Sequence, residues 1–172
     1  MSELRYLLRQ LTFIVPFAAT VSNIFVTVKK VDGDSMQPTF NPRSEDANKR
    51  SDFVLINRWS CRKFDVKPGD VVALKSVRNS KQKLIKRVVA LEGDWVRTLP
   101  TYEEDVVEVP EGHCWIEGDH HQRSFDSNHF GPVPLGLIIG RADLIVWPPS
   151  RWSFVESKLP GETAKRRVVV VS

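Results

Sequence analysis

A chain of 172 residues with 25 Lys+Arg against 21 Asp+Glu, a net charge of +4 and 41% hydrophobic residues has the make-up of one ordinary folded domain. That excludes a disordered chain and a multidomain machine. Eleven Pro and nine Gly imply many turns and hence a β-rich fold, while two cysteines without CxxC spacing are too few for a zinc site or a disulfide framework, so neither metal nor cofactor is expected.

In chain order, residues 1–10 form a basic flank with Arg5 and Arg9, and the uncharged residues 10–28 follow it, closed by Lys29 and Lys30. At about 1.5 Å per residue an uncharged helix of this length covers about 28 Å, close to the ~30 Å hydrocarbon core of a bilayer, so residues 11–28 are read as a transmembrane anchor. A removed signal ending near Phe17-Ala18-Ala19-Thr20 and a buried N-terminal helix are the alternatives. Equal basic flanks leave the orientation open.

Residues 31–155 then form one domain, with 156–172 as a C-terminal tail. Short apolar runs bounded by turn residues read as strands: Phe53–Ile56, Val71–Leu74, Leu84–Leu91, Trp95–Val96, Val106–Val109, Cys114–Ile116 and Leu144–Trp147. Gly-Asp dipeptides at 33, 69, 93 and 118 mark turns beside them. Pro38 to Asp52 reads as an exposed mobile loop, and Lys165-Arg166-Arg167 with the valines after it reads either as a frayed end or as an edge strand. Trp95 and Trp115 are assigned to the core; Trp147 and Trp152, around Pro148-Pro149, are left open between core and membrane interface.

Three segments place polar groups among residues expected to be buried: Val31 to Thr39, Ile85 to Asp94, and Gly118 to Asn128. In a strand, the period of two puts Leu84, Lys86, Val88 and Ala90 on one face, carrying an ammonium between apolar neighbours. Burial disfavours the charged amine, and a neutral lysine is a general base. The bland reading is a snorkelling lysine within the basic stripe Arg78 to Arg87, which is also what a nucleic-acid patch would use. Ser35 sits just past a glycine turn, where a hydroxyl and its own N–H can be presented to one point.

Together these segments resemble the type I signal peptidase family in order and spacing: Gly33-Asp34-Ser35-Met36-Gln37-Pro38-Thr39; Lys86-Arg87-Val88 with Glu92-Gly93-Asp94; and Gly118-Asp119 through Ser124, Asp126-Ser127 and Phe130-Gly131-Pro132-Val133. The likeness extends over about residues 5 to 152 and, from Gly118-Asp119-His120-His121 and the run from Phe130 to Leu137, is strongest to the family's mitochondrial inner membrane proteases. The resemblance implies a mostly β fold, an antiparallel domain resting on the membrane behind one N-terminal transmembrane helix. It implies a Ser-Lys dyad, with Ser35 as nucleophile and Lys86 as general base. It also implies that Ser124 orients the lysine amine and that Asp126 is a structural acid. Gly33 stands where many members carry a serine that completes the oxyanion hole. Asn128 stands where the family often has an arginine, leaving Arg87 and Arg123 as possible partners of Asp126.

The implied activity is removal of presequences from proteins delivered to the mitochondrial intermembrane space. Its implied partners are presequence-bearing substrates, the inner membrane, and a homologous inner membrane protease subunit in a hetero-oligomer. The two departures at Gly33 and Asn128 motivate one rival, a non-catalytic scaffold subunit. The basic stripe motivates another, a nucleic-acid binder, which is set aside because no nucleic acid is expected from interspersed charges. His113, His120, His121 and His129 lack metal-ligand spacing and read as loop polarity.

Overall fold

The computed structural model describes residues 12–14, 25–42, 51–59, 65–159 and 168–169. It is built on antiparallel strands. β1 (Val26–Lys30), β2 (Phe53–Asn57), β3 (Val71–Lys75), β4 (Lys83–Leu91), β7 (His113–Glu117), β8 (Val133–Pro134), β9 (Ile138–Trp147) and β10 (Ser153–Phe154) make one sheet, in the order β1-β2-β9-β3-β4-β7-β8 with β10 on β9. A smaller sheet pairs β5 (Trp95–Arg97) with β6 (Val106–Glu108) on one side and β11 (Val168–Val169) on the other. Every apolar run read as a strand forms one, because Val- and Ile-rich segments of this length suit a pleated surface and are cut by turns before they can become helices. The C-terminal valines 168 and 169 add an edge strand to β5.

Three apolar clusters fill the interior. Val54, Ile56, Val71, Met36 and Phe40 anchor the first, Val72, Leu74, Val88 and Ile116 the second, and Val89, Ala90, Val96 and Trp115 the third. The strict alternation expected along β4 fails at its end. The register against β7 shifts between Val88 and Ala90, so Ala90 leaves the face of Leu84 and Val88 and joins the third cluster with Val89. One extra residue in a ladder reverses the side-chain faces beyond it.

Other expectations are corrected as well. Val26–Val28, the end of the segment read as an anchor, is strand and pairs with β2; Thr12–Ile14 is helical, and residues 15–24 lie outside the described set. No helix among the described residues is long and apolar enough to cross a membrane. The polar stretch after Pro38 is not exposed at its described ends, because Phe40, Asn41 and Asp52 are buried. Asn41 and Asp52 lock together through Asn41 N to Asp52 Oδ2 at 2.7 Å and Asp52 N to Asn41 Oδ1 at 2.8 Å, with Arg151 Nη1 on the same carboxylate at 2.5 Å. Trp115 is fully buried, but Trp95 is 38% exposed because it alternates with the buried Val96 on an outer strand. Trp147 and Trp152 are exposed, as are Val28, Phe53 and Phe154 on strands of the large sheet.

Candidate active site

The sheet brings the three polar segments to one place. The chain leaves β1 through Gly33, whose φ of +91° sits in the region that favours glycine, and then enters a turn at Ser35. A Cβ on Gly33 would meet nothing within 4 Å, so space does not exclude a side chain there; the backbone path does. Asn41 Nδ2 fixes this bend from below by donating to Val31 O at 2.9 Å and Gly33 O at 3.2 Å.

Lys86 arrives from the middle of β4, opposite Val72 of β3, and is 3% exposed. Its Nζ donates to Ser35 Oγ at 2.7 Å. Desolvation pushes the amine down from 10.5 to about 8, against the opposing pull of Asp126 and Asp119. About a tenth of the amine is therefore neutral at pH 7, rising to about half near pH 8, with a hydroxyl within hydrogen-bond reach.

The third segment packs against the back of this pair. Gly118 comes so close that an added Cβ would lie 2.4 Å from Ser35 O and 2.3 Å from Ser124 Oγ, and His120 N donates to Ser35 O at 3.0 Å. Gly118, expected both as a turn marker and as the start of the third motif, makes a non-local contact with Ser35 that leaves no trace in spacing. Ser124 is buried beside Ser35 O, and its hydroxyl donates to Asp126 Oδ2 at 2.5 Å, which leaves the oxygen's lone pairs able to accept from an amine.

Neither arginine considered for Asp126 reaches it. Arg123 Nη1 donates to Asp34 Oδ2 at 2.9 Å. Arg87 makes a two-pronged pair with Asp119, Nε to Oδ1 and Nη2 to Oδ2 both at 2.8 Å, and its remaining donors reach Gly69 O, Glu156 O and Thr39 Oγ1. Thr39 Oγ1 in turn donates to Asp119 Oδ2 at 2.5 Å, so this buried pair bolts all three segments together. Asp126 is held instead by Gly118 N, Asn128 N and Asn128 Nδ2 together with Ser124.

Three of the histidines face separate partners, His113 at Glu111 O, His121 3.7 Å from Glu117 and His129 4.0 Å from Asp126, while the buried Nδ1 of His120 has no hydrogen-bond partner among the described residues. In front of Ser35 and Lys86 opens a cleft of about 520 Å³ bordered by Lys29, Asp32, Gly33, Ala73, Lys83 and Phe125, of a size to admit an extended segment of chain.

A buried amine hydrogen-bonded to a half-buried serine hydroxyl can deprotonate it for attack on a carbonyl. Backbone N–H groups of the turn are the donors at hand for the oxyanion. The comparisons with known proteins point the same way. The model of the family "Signal peptidase, peptidase S26" matches residues 4–100 and 96–147. Mitochondrial inner membrane protease subunit 2 of Danio rerio is 52% identical over 146 residues, spanning 85% of this chain and 78% of that protein. The protein of the same name from Saccharomyces cerevisiae is 40% identical over 139 residues, spanning 80% and 77%. Mitochondrial inner membrane protease subunit 1 of Mus musculus is 38% identical over 134 residues, spanning 76% and 75%.

Proposed function

Because the chain belongs to the signal peptidase family, peptidase S26, and is a serine peptidase, we propose that it is a membrane-anchored endopeptidase that removes presequences from proteins delivered to the mitochondrial intermembrane space. Ser35 is the nucleophile. Lys86 takes its proton during attack and returns it to the departing amine, and the Ser35 N–H helps hold the developing oxyanion. The observation that carries this reading is the 2.7 Å contact between Ser35 Oγ and a desolvated Lys86 Nζ.

Two features support the membrane setting. An uncharged stretch precedes β1, which itself takes Val26–Val28 from the segment read as the anchor, and the strands from β1 onward carry the exposed Val28, Phe53, Trp147 and Phe154, groups suited to rest against an apolar interface. Relatives named inner membrane protease subunits 1 and 2 support a hetero-oligomer with a homologous subunit. The test is cleavage of a presequence-bearing substrate by the reconstituted full chain with its partner. Cleavage is expected to vanish in Ser35→Ala and in Lys86→Ala while the fold persists. Full cleavage in either variant would leave the chain a scaffold.

A further inference from the structure

We propose that Asn128 is a positioning residue for Lys86: it holds Asp126 through neutral donors alone and so leaves the full charge of that carboxylate facing the amine. The proposal rests on the Ser-Lys reading and adds to it the residue that sets the field at the base.

Asp126 is 2% exposed, and each of its oxygens is accounted for. Oδ2 accepts from Gly118 N at 2.9 Å and from Ser124 Oγ at 2.5 Å; Oδ1 accepts from Asn128 N at 3.1 Å and Asn128 Nδ2 at 3.2 Å. These donors satisfy the lone pairs without cancelling the charge. A buried carboxylate whose hydrogen bonds all come from neutral donors keeps its field, which the low local dielectric transmits to its neighbours. Lys86 follows along a short chain of contacts: Gly118 and Ser124, both bonded to Asp126, pack against each other and Gly118 packs against Ser35 O, and the Ser35 hydroxyl takes the Lys86 hydrogen bond at 2.7 Å.

Asn128 is placed to enforce this. It is 1% exposed, and its Nδ2 also donates to Glu117 Oε1 at 3.0 Å, while its Oδ1 accepts from Leu99 N at 2.9 Å and its carbonyl accepts from Thr101 Oγ1 at 3.3 Å. The side chain is thus fixed on every side and bridges two acids. The other charged groups around the site are committed elsewhere: Arg87 and Asp119 to each other, Arg123 to Asp34, and Lys30 to Asp32. Lys29 and Lys83 lie exposed at the cleft rim, and His129, 34% exposed, stands 4.0 Å from Asp126. Both Asp126 and Asp119 raise the Lys86 pKa against the lowering by burial, but Asp119 shares its charge with a two-pronged arginine. Asp126 does not.

The sign follows directly. Catalysis needs the neutral amine, so activity climbs with pH through the Lys86 pKa near 8. An anion beside the amine moves that climb to higher pH, and removing or neutralising the anion moves it to lower pH. The experiment measures kcat/KM against pH for the full chain with its partner subunit, in wild type, Asp126→Asn, Asn128→Arg and Asn128→Leu. Asp126→Asn and Asn128→Arg are expected to shift the acid limb down by about one pH unit, the size of effect typical of one nearby charge. Asn128→Leu adds no charge and is expected to lower kcat without any acid shift. Because Asn128→Arg is the variant at risk of misfolding, Asn128→Lys is measured beside it as a second added cation expected to shift the limb the same way, and Asp126→Asn tests separately whether the carboxylate's field reaches the amine. A Lys86 Nζ titration by NMR on the Ser35→Ala background gives a second reading that does not need turnover. An acid limb, or an Nζ titration, that is unmoved in a folded Asp126→Asn chain overturns the proposal even though cleavage still depends on Ser35 and Lys86. Loss of that dependence would instead overturn the dyad.

Discussion

Lys86 and Arg87 are neighbours on β4, both almost fully buried, and the fold uses them in opposite ways. Arg87 meets Asp119 in a planar two-pronged pair and spends its remaining donors on two backbone carbonyls and Thr39, so its charge is matched in place. Among the described residues the Lys86 amine makes one hydrogen bond, to a neutral hydroxyl, and its charge is destabilised by burial. A guanidinium cannot shed its proton and becomes structure; an amine can and becomes a base. The period of two along a strand is what sends the pair to different sides.

The largest predicted effect tests the Lys86 side. Ser35→Ala or Lys86→Ala is expected to lower the cleavage rate by at least about a thousandfold, and the double variant is expected to be no worse than either single one, since the members of a catalytic unit are not additive. A double variant much slower than both singles would break the idea of one shared unit. The readout is single-turnover cleavage of a presequence peptide.

Next comes the Arg87 side. Removing one partner of a buried pair strands the other, at a cost of about 3–5 kcal/mol. Arg87→Ala should therefore unfold at distinctly lower denaturant, where Lys86→Ala does not. Arg87→Lys should recover little of the loss, because a single ammonium cannot reproduce both bonds to Asp119 and those to Gly69, Glu156 and Thr39. Gly118→Ala is expected to damage both functions at once, since its Cβ would overlap Ser35 O and Ser124 Oγ and something must shift.

The same contrast predicts how stability varies with pH. The folded pKa of Lys86, about 8, lies below its ordinary 10.5, so between those values the unfolded chain binds more protons than the folded one and stability from this group rises with pH. Below about 8 the burden of the buried ammonium is fully present, on the order of 3 kcal/mol. Lys86→Met is thus expected to be inactive yet more stable than wild type at pH 7, with the difference shrinking as pH approaches 10.5. Chemical denaturation at a series of pH values checks it. A wild type more stable than Lys86→Met at pH 7 would show that the amine's contacts outweigh its desolvation.

The strands were legible in the residues, because apolar runs cut by Gly, Pro and Asp have few other folds; a lysine amid apolar alternation and a serine past a glycine turn are each ambiguous alone, and their pairing was expected only from the resemblance carried by three motifs in register. What was illegible depends on non-local geometry. The bulge between Val88 and Ala90 is set by pairing with β7, and no local pattern announces it. The outward Trp95 follows from which side of a three-stranded sheet is covered, which its hydrophobicity does not reveal. Asp119, rather than Asp126, is the partner of Arg87, and Asn128 is the partner of Asp126; each choice is made by chain segments that meet only after folding.

Cys114 gives the smallest predicted effect and the cleanest control for the contrast. The force that drives Lys86 toward neutrality, desolvation, also acts on this fully buried thiol and pushes it up from 9.0 to about 12. For an amine the neutral form is the reactive base; for a thiol it is the inert form. On a Cys61→Ser background, the folded chain is expected to resist iodoacetamide at pH 8, and denaturant should restore ordinary labelling. Cys114→Ala should leave cleavage within about twofold and cost roughly 1 kcal/mol for the lost packing among Val88, Ile116 and Val133. Rapid labelling of folded protein would mean that this cluster opens readily, and a site whose base depends on a dry neighbourhood only one strand away would then show a Lys86 acid limb well above 8.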